Sequence, residues 1–166
     1  GLKIKSFNGC SVDESFTSEV EKRLMLGNSI EKIDGVNQLV DIKKFHLDRI
    51  KSLFDIDFIS NRLKKMKLRI FVDSMHGSAA NCMAEIFASN DLEVISEIRK
   101  DADPFFGGKP PEPLLNYADD LKQTLMKNST NEVKTLGIIF DGDGDRIAAI
   151  DEKGRYSSTQ DLLPYF

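Results

Sequence analysis

Soft-metal and disulfide chemistry have little to work with in this 166-residue sequence, which holds two cysteines and two histidines. Cys10 and Cys82 form neither a metal-ligand spacing nor a disulfide framework. That usage suits a reducing compartment, and a cytoplasmic location with two inert, packed thiols is expected. No apolar run approaches the roughly 18 residues of a membrane span, and no signal peptide is read at the start; a membrane is therefore not an expected partner. A basic stripe interleaved with aromatics is missing as well. With a formal net charge of -4 and a pI near 5.3, nucleic acid is not an expected partner either.

What remains is 40% apolar and 30% charged, the balance of an ordinary globular chain long enough for one domain with a core, or one domain and part of another. The chain opens on "GLKIKSF" and closes on "TQDLLPYF", which reads as the start of an unfinished helix. The expectation is a piece of a longer protein.

The unusual stretch is "GIIFDGDGDRIAAID", residues 137–151, where Asp141, Asp143 and Asp145 alternate with two glycines between apolar runs. Three carboxylates in such proximity raise one another's pKa unless a cation or many donors compensate. In a straight strand, alternate side chains lie about 6 to 7 Å apart, too far for one small ion. The backbone must therefore turn, and Gly142 and Gly144 are expected to supply positive φ angles for it. Hard oxygen donors point to Mg²⁺ or Ca²⁺. An acidic surface turn explains single Gly and Asp residues but not strict alternation followed by Arg146, so the metal reading is preferred.

"LKIKSF" alternates like a strand, and "SVDESFTSEVEKRLMLGN" reads as a helix capped by Ser11 or Asp13, with Phe16, Val20 and Leu24 at helical spacing and a stop at Gly27-Asn28. One strand and one helix cannot enclose a core, so residues 1–40 are expected to be the tail of a preceding domain. From "VDIKKFHLDRIKSLFD" the pattern is helical, with Ile42, Phe45, Ile50, Leu53 and Phe54 expected on one side. "KLRIFVDS" is a strand ending in Asp73, "MHGSAANCMAEIFASN" a loop entering a helix, and "DLEVISEI" a second strand. The Pro- and Gly-rich "RKDADPFFGGKPPEP" is an irregular loop, and "LLNYADDLKQTLMK" a helix with Leu115, Ala118, Leu121 and Leu125 on its core face. "TLGIIF" and "RIAAI" are the third and fourth strands. Alternating strands and helices predict a three-layer α/β/α domain with a mainly parallel sheet of four strands. The five-residue loop between the last two is of hairpin length, too short for a crossover, so the fourth strand should run antiparallel. The acidic loop then lies at the carboxyl end of a central strand, where open α/β sheets place ligands.

Three readings of that loop compete. Counted from Asp141, Asp143, Asp145 and Glu152 match positions three, five and twelve of a calcium loop, but Arg146 stands where glycine is needed and strands flank it instead of helices. "IIFDGDG" resembles the opening motif of haloacid-dehalogenase-type phosphatases, with Asp141 as nucleophile and Asp143 as acid/base; however, that motif should open the fold, and only twenty residues follow Arg146. "DGDGDR" resembles the metal loop of the α-D-phosphohexomutases, the phosphoglucomutases and phosphomannomutases. "IFVDSMHGSAA" is similar to that family's second-domain strand and loop, and "DADPFFGGKPPEP" to its D-P-x-F…P-E-P segment. The third reading is preferred.

This resemblance implies that Asp141, Asp143 and Asp145 hold Mg²⁺ and that Arg146 engages the transferable phosphate. It also makes Lys3, in "GLK", the lysine assigned to substrate contact or proton transfer. Residues 1–40 would end a first domain, 41–152 form the metal-loop domain and 153–166 begin a third. The implied substrates are a hexose phosphate and a hexose bisphosphate, interconverted through a phosphoserine that is absent from this sequence, as are the sugar- and phosphate-binding loops. The missing domains of the same chain are thus expected partners. Other residues are given structural roles: His76 a loop-stabilising hydrogen bond, His46 a solvent-facing position, Glu112 a contact to loop amides. Lys109 lacks the spacing of a phosphate loop, and Asn128-Ser129-Thr130 is a glycosylation tripeptide of the kind that occurs by chance.

Overall fold

The computed structural model describes residues 3–27, 35–36, 38–88 and 94–165, and its chain divides into two compact units, Gly1–Val40 and Asp41–Phe166. In the first unit, helix α1 (Glu14–Met25) starts at Asp13, whose side chain accepts the Phe16 amide hydrogen bond at 2.9 Å. Glu14 in the first turn and Lys22 and Arg23 in the last complement the helix dipole. No residue of this helix is buried. Gly27 follows it at φ +63°; Asn28, the other half of the expected stop, lies outside the described residues. The strand expected over "LKIKSF" is reduced to one antiparallel bridge, Lys5 with Ser11. It closes a tight turn in which the Ser6 amide donates to the Cys10 carbonyl at 2.9 Å. An alternating pattern needs a neighbouring strand to extend a ladder, and none is present among the described residues of this unit. Cys10 is exposed, not packed.

The second unit begins with helices α2 (Ile42–Leu53) and α3 (Ile56–Lys65). Asp55 separates them: its carboxylate accepts the Phe58 amide at 2.8 Å and starts the second helix. The expected apolar face of α2 is not the one the fold buries. Leu47 is buried and Ile50 half-buried, whereas Ile42, Phe45, Leu53 and Phe54 are exposed. Apolar residues occur around most of this helix, so periodicity alone could not select the stripe that meets the sheet.

Strand β1 (Leu68–Asp73), helix α4 (Cys82–Phe87) and strand β2 (Ile95–Ile98) follow, then helix α5 (Asp119–Asn128), strands β3 (Lys134–Phe140), β4 (Ile147–Asp151) and β5 (Tyr156–Ser157), and the short helix α6 (Thr159–Leu162). Among the described residues the strands form one sheet in the order β2-β1-β3-β4-β5. β1 pairs parallel with β2 and β3, with Ile70 opposite Ile95 and Leu136. β4 runs antiparallel to β3, with Ile138 opposite Ala149, as hairpin length requires. The sheet has five strands instead of the expected four, because a turn at Gly154 returns the chain and two residues, Tyr156 and Ser157, pair with β4. A strand of that length leaves no period-two signal.

Alternation along β1 divides the core between two faces. Ile70 and Val72 join Leu47, Ile86, Phe87, Val94 and Ile95 under α2, α3 and α4, while Phe71 joins Leu121, Leu125, Ile139 and Ile150 under α5. The architecture is three-layer α/β/α with a mixed sheet, parallel across β2, β1 and β3 and antiparallel where β4 and β5 join. Helix α5 approaches β3 so closely that a Cβ at Gly137 would lie 2.7 Å from Leu121 Cδ2. Leu121 and Leu125 are essentially inaccessible, each such burial being worth about 1.5–3 kcal/mol. Leu115, expected on the same face, lies in a 3₁₀ turn before α5 and is exposed. No helix among the described residues is long and apolar enough to cross a membrane.

Candidate metal centre

The loop Asp141–Arg146 joins β3 to β4 at the carboxyl end of β3. It turns back on itself through backbone bonds from Gly144 N–H to the Asp141 carbonyl, 3.2 Å, and from Asp141 N–H to the Arg146 carbonyl, 3.3 Å. Gly144 has φ +77°, a left-handed value that favours glycine. Gly142 does not adopt a positive φ, contrary to the sequence expectation. It is glycine because a Cβ there would lie 2.9 Å from Pro111 Cγ.

The turn brings Asp141, Asp143 and Asp145 together: one carboxylate oxygen from each lies within 4.8 Å of the others. Asp141 is 1% exposed, whereas Asp143 and Asp145 face solvent. Arg146 closes the group. Its backbone N–H donates to Asp141 Oδ1 at 3.0 Å and its Nε–H to Asp141 Oδ2 at 2.7 Å, and the same Nε lies 3.9 Å from Asp145 Oδ1. Burial pushes the Asp141 carboxyl up, but the Arg146 amide and guanidinium outweigh burial and hold it below the usual carboxylate range. Asp145 is displaced the other way, raised first by the charge of Asp143 and further by slight burial and Asp141. The terminal guanidinium nitrogens of Arg146 make no hydrogen bond among the described residues, and its side chain is 51% exposed.

These donors fit a hard divalent cation. All are carboxylates, no imidazole or thiolate stands among them, and one guanidinium cannot offset three negative charges. Each Asp141 oxygen that accepts from Arg146 keeps a second lone pair. Beside the loop opens a cleft of about 380 Å³ lined by Phe106, Pro110, Pro111, Glu112, Asp143 and Arg146. Glu112 contributes negative charge opposite Arg146; its carboxylate accepts no loop amide among the described residues, contrary to expectation.

The other expected residues lie as follows in their own units. Lys3 is exposed in the first unit. His46 is exposed on α2. His76 Nδ1 lies 2.7 Å from the Asp101 carbonyl oxygen, and the His76 backbone N–H donates to the Arg99 carbonyl at 2.7 Å, so it ties two loops together. Sequence reading missed the support behind the centre. Asp73, fully buried at the end of β1, accepts from Arg99 Nε at 2.8 Å and from Arg99 Nη2. Glu97 of β2 accepts the Asn81 and Ala84 amides at 2.7 and 3.0 Å, fixing the entry to α4. An acid ending an apolar strand was the one signal for Asp73. Glu97 gave none, because its partners are backbone groups.

Residues 44–154, more than half of the chain, match the family model described as phosphoglucomutase/phosphomannomutase, alpha/beta/alpha domain II. The phosphoglucosamine mutase of Methanococcus vannielii is 30% identical over 174 residues, covering 100% of this chain and 36% of that protein. Phosphoglucomutase 1 of Drosophila melanogaster is 29% identical over 188 residues, covering 98% of this chain and 33% of its own length. The chain thus spans about a third of the length of the relatives it matches. In fold it is similar to the crystal structure of a phosphoglucomutase/phosphomannomutase family protein from Burkholderia thailandensis, with a TM-score of 0.66 at 21% identity over 89% of this chain and 30% of that one. The chain belongs to the phosphoglucomutase/phosphomannomutase family, of which it carries the alpha/beta/alpha domain II.

Proposed function

We propose that this chain supplies the Mg²⁺-holding loop of a phosphohexomutase, an isomerase that moves a phosphoryl group on hexose phosphates through a phosphoserine and a hexose bisphosphate. The observation that carries this reading is the convergence of Asp141, Asp143 and Asp145 oxygens within 4.8 Å of one another, beside an arginine whose outer nitrogens are open to the adjoining cleft. Mg²⁺ in such a site supplies positive charge against the phosphoryl group in transfer. The chain's own contributions are mechanical and electrostatic. Asp141 anchors Arg146 by two hydrogen bonds, which leaves the guanidinium's far edge to meet phosphate oxygens in bidentate fashion. Asp143 and Asp145, exposed at the rim, are the ligands that face an incoming phosphate. Lys3 is assigned to substrate contact or proton transfer.

In this reading residues 1–40 end a first domain, 41–152 form the second and 153–166 lead into a third. The phosphoserine and the sugar-recognition loops belong to the other domains, and the enzyme works in the cytoplasm on a free hexose phosphate. The phosphatase alternative is not favoured. Residues 44–154 match the phosphoglucomutase/phosphomannomutase domain II model instead.

Calorimetry of the full 166-residue chain tests the reading. Mg²⁺ is expected to bind, and Asp143→Asn to weaken binding about tenfold or more. The isolated chain is expected not to interconvert glucose 1-phosphate and glucose 6-phosphate. Unchanged affinity in Asp143→Asn refutes the ligand assignment, and turnover by the chain alone refutes the dependence on other domains.

A further inference from the structure

Three loops from separate parts of the sequence meet at Gly142, the residue between the first two aspartates. The Gly142 N–H donates to the Pro111 carbonyl at 3.0 Å, and the Gly142 carbonyl accepts the Ser78 N–H at 3.0 Å. The first bond holds the peptide plane joining residues 141 and 142, and the second holds the plane joining 142 and 143. With both adjoining planes tethered, φ and ψ at their shared Cα are restricted. The backbone between Asp141 and Asp143 is thereby constrained from outside the loop.

The contact on the Ser78 side has no slack. A Cβ at Gly77 would lie 2.5 Å from the Gly142 oxygen and 2.8 Å from its Cα. A Cβ at Gly142 would lie 2.9 Å from Pro111 Cγ and 3.4 Å from Phe106 Cε1, so Pro111 and Phe106 crowd the metal loop as well. Nor is the Ser78 side of the clamp loose: Glu97 pins the segment just beyond it through the Asn81 and Ala84 amides, and His76 is tied to the Arg99 and Asp101 carbonyls just before it.

We infer that Gly77 is a positioning residue for the metal centre: its missing side chain lets the loop after β1 press against Gly142 and lock Asp141 and Asp143 at metal-binding separation. This rests on the metal reading given above. Gly77 does not have a left-handed φ, so alanine fits its backbone without strain and acts through the methyl contact alone. The methyl meets backbone, which cannot swing aside as a flexible side chain would, and the Ser78–Gly142 bond must open.

Mn²⁺ is the probe, its free fraction counted by electron paramagnetic resonance in solutions of the full 166-residue chain. Gly77→Ala is expected to weaken Mn²⁺ binding about tenfold or more, the range seen when groups that orient metal ligands are removed. Gly137→Ala separates positioning from general stability. Its methyl strikes Leu121 Cδ2 at 2.7 Å in the core under α5, so this variant loses stability but keeps wild-type Mn²⁺ affinity within about twofold. Hydrogen exchange on the unaltered chain gives a second readout, independent of whether Gly77→Ala folds: saturating Mn²⁺ is expected to slow exchange of the Ser78 and Gly142 amides, because coupling is reciprocal. Wild-type affinity in a folded Gly77→Ala, an equal loss of affinity in Gly137→Ala, or no change in Ser78 and Gly142 protection each overturns the clamp. The first and third of these leave the metal site itself standing. Failure of the unaltered chain to bind Mn²⁺ overturns the metal reading and the clamp together.

Discussion

Replacing Arg99 by methionine removes a guanidinium that is the main partner of a buried carboxylate. Asp73 has no accessible surface and the Arg99 side chain is 12% exposed, so water cannot take over the lost contacts. Arg99 Nε and Nη2 both donate to Asp73, and Nη2 also donates to the Tyr117 carbonyl at 3.1 Å. After the substitution Asp73 keeps one donor among the described residues, the Met75 amide at 3.1 Å. Breaking a buried pair from one side costs about 3–5 kcal/mol, because a charge is left without compensation. For a unit of this size that corresponds to roughly 10–20 °C in melting temperature. Thermal and urea denaturation of the full chain at neutral pH measure it. The double variant Asp73→Leu with Arg99→Met is expected to recover most of the loss, since removing both charges also removes the penalty. By contrast Arg23→Ala, which breaks a pair whose side chains are 72% and 55% exposed, is expected to change nothing measurable. A loss below about 1 kcal/mol in Arg99→Met, or a double variant less stable than the single one, refutes the claim that this carboxylate depends on its guanidinium.

Gly137→Ala is expected to lower stability by about 1–3 kcal/mol by overpacking α5 against β3, measurable by urea denaturation. Asp55→Ala, which deletes the side chain that starts α3, is expected to cost about 1 kcal/mol, read from the same transition. Burial pushes the Asp151 carboxyl up, but bonds from the Arg155 amide, its guanidinium and the Lys153 amide outweigh this and hold it below the usual carboxylate range. A carboxyl lowered in the folded state contributes stability that is present above its unfolded pKa and disappears as pH falls through the folded value. The difference in stability between wild type and Asp151→Asn is therefore expected to be full at neutral pH, roughly 1 kcal/mol or less, and to shrink below about pH 4. A difference that stays constant down to pH 2 refutes this assignment.

The parts of the fold legible in the sequence were those whose signal is local. "RIFVD" places Ile70 and Val72 on one face and Phe71 on the other, and the short link between "GIIF" and "IAAID" dictates the antiparallel pair found between β3 and β4. The choice of face on α2 was not legible. Ile42, Phe45 and Leu53 are as apolar as Leu47 and Ile50, and only the position of the sheet decides between them. The two-residue β5 and the lone Lys5–Ser11 bridge sit at the opposite limit, one a pairing without a pattern and the other a pattern without a pairing.

The same division runs through the acidic loop and explains why the convergence of its three carboxylates was readable while its support was not. Three aspartates at alternate positions announce themselves because the constraint, mutual repulsion of carboxylates, acts between neighbours in sequence. The groups that hold the turn come from residues 77–78 and 111, brought in by the packing of β1 and α5 against β3. Their chemistry is that of backbone amides, carbonyls and a missing Cβ, which one sequence cannot distinguish from ordinary loop. Gly142 shows the cost of reading locally. Its alternation with aspartate suggested a glycine needed for an unusual φ, but the structure gives it an ordinary one and a proline ring 2.9 Å from where its side chain would begin. The physical demand at that position is space for a neighbour 31 residues upstream, and the same demand, met from the other side, falls on Gly77.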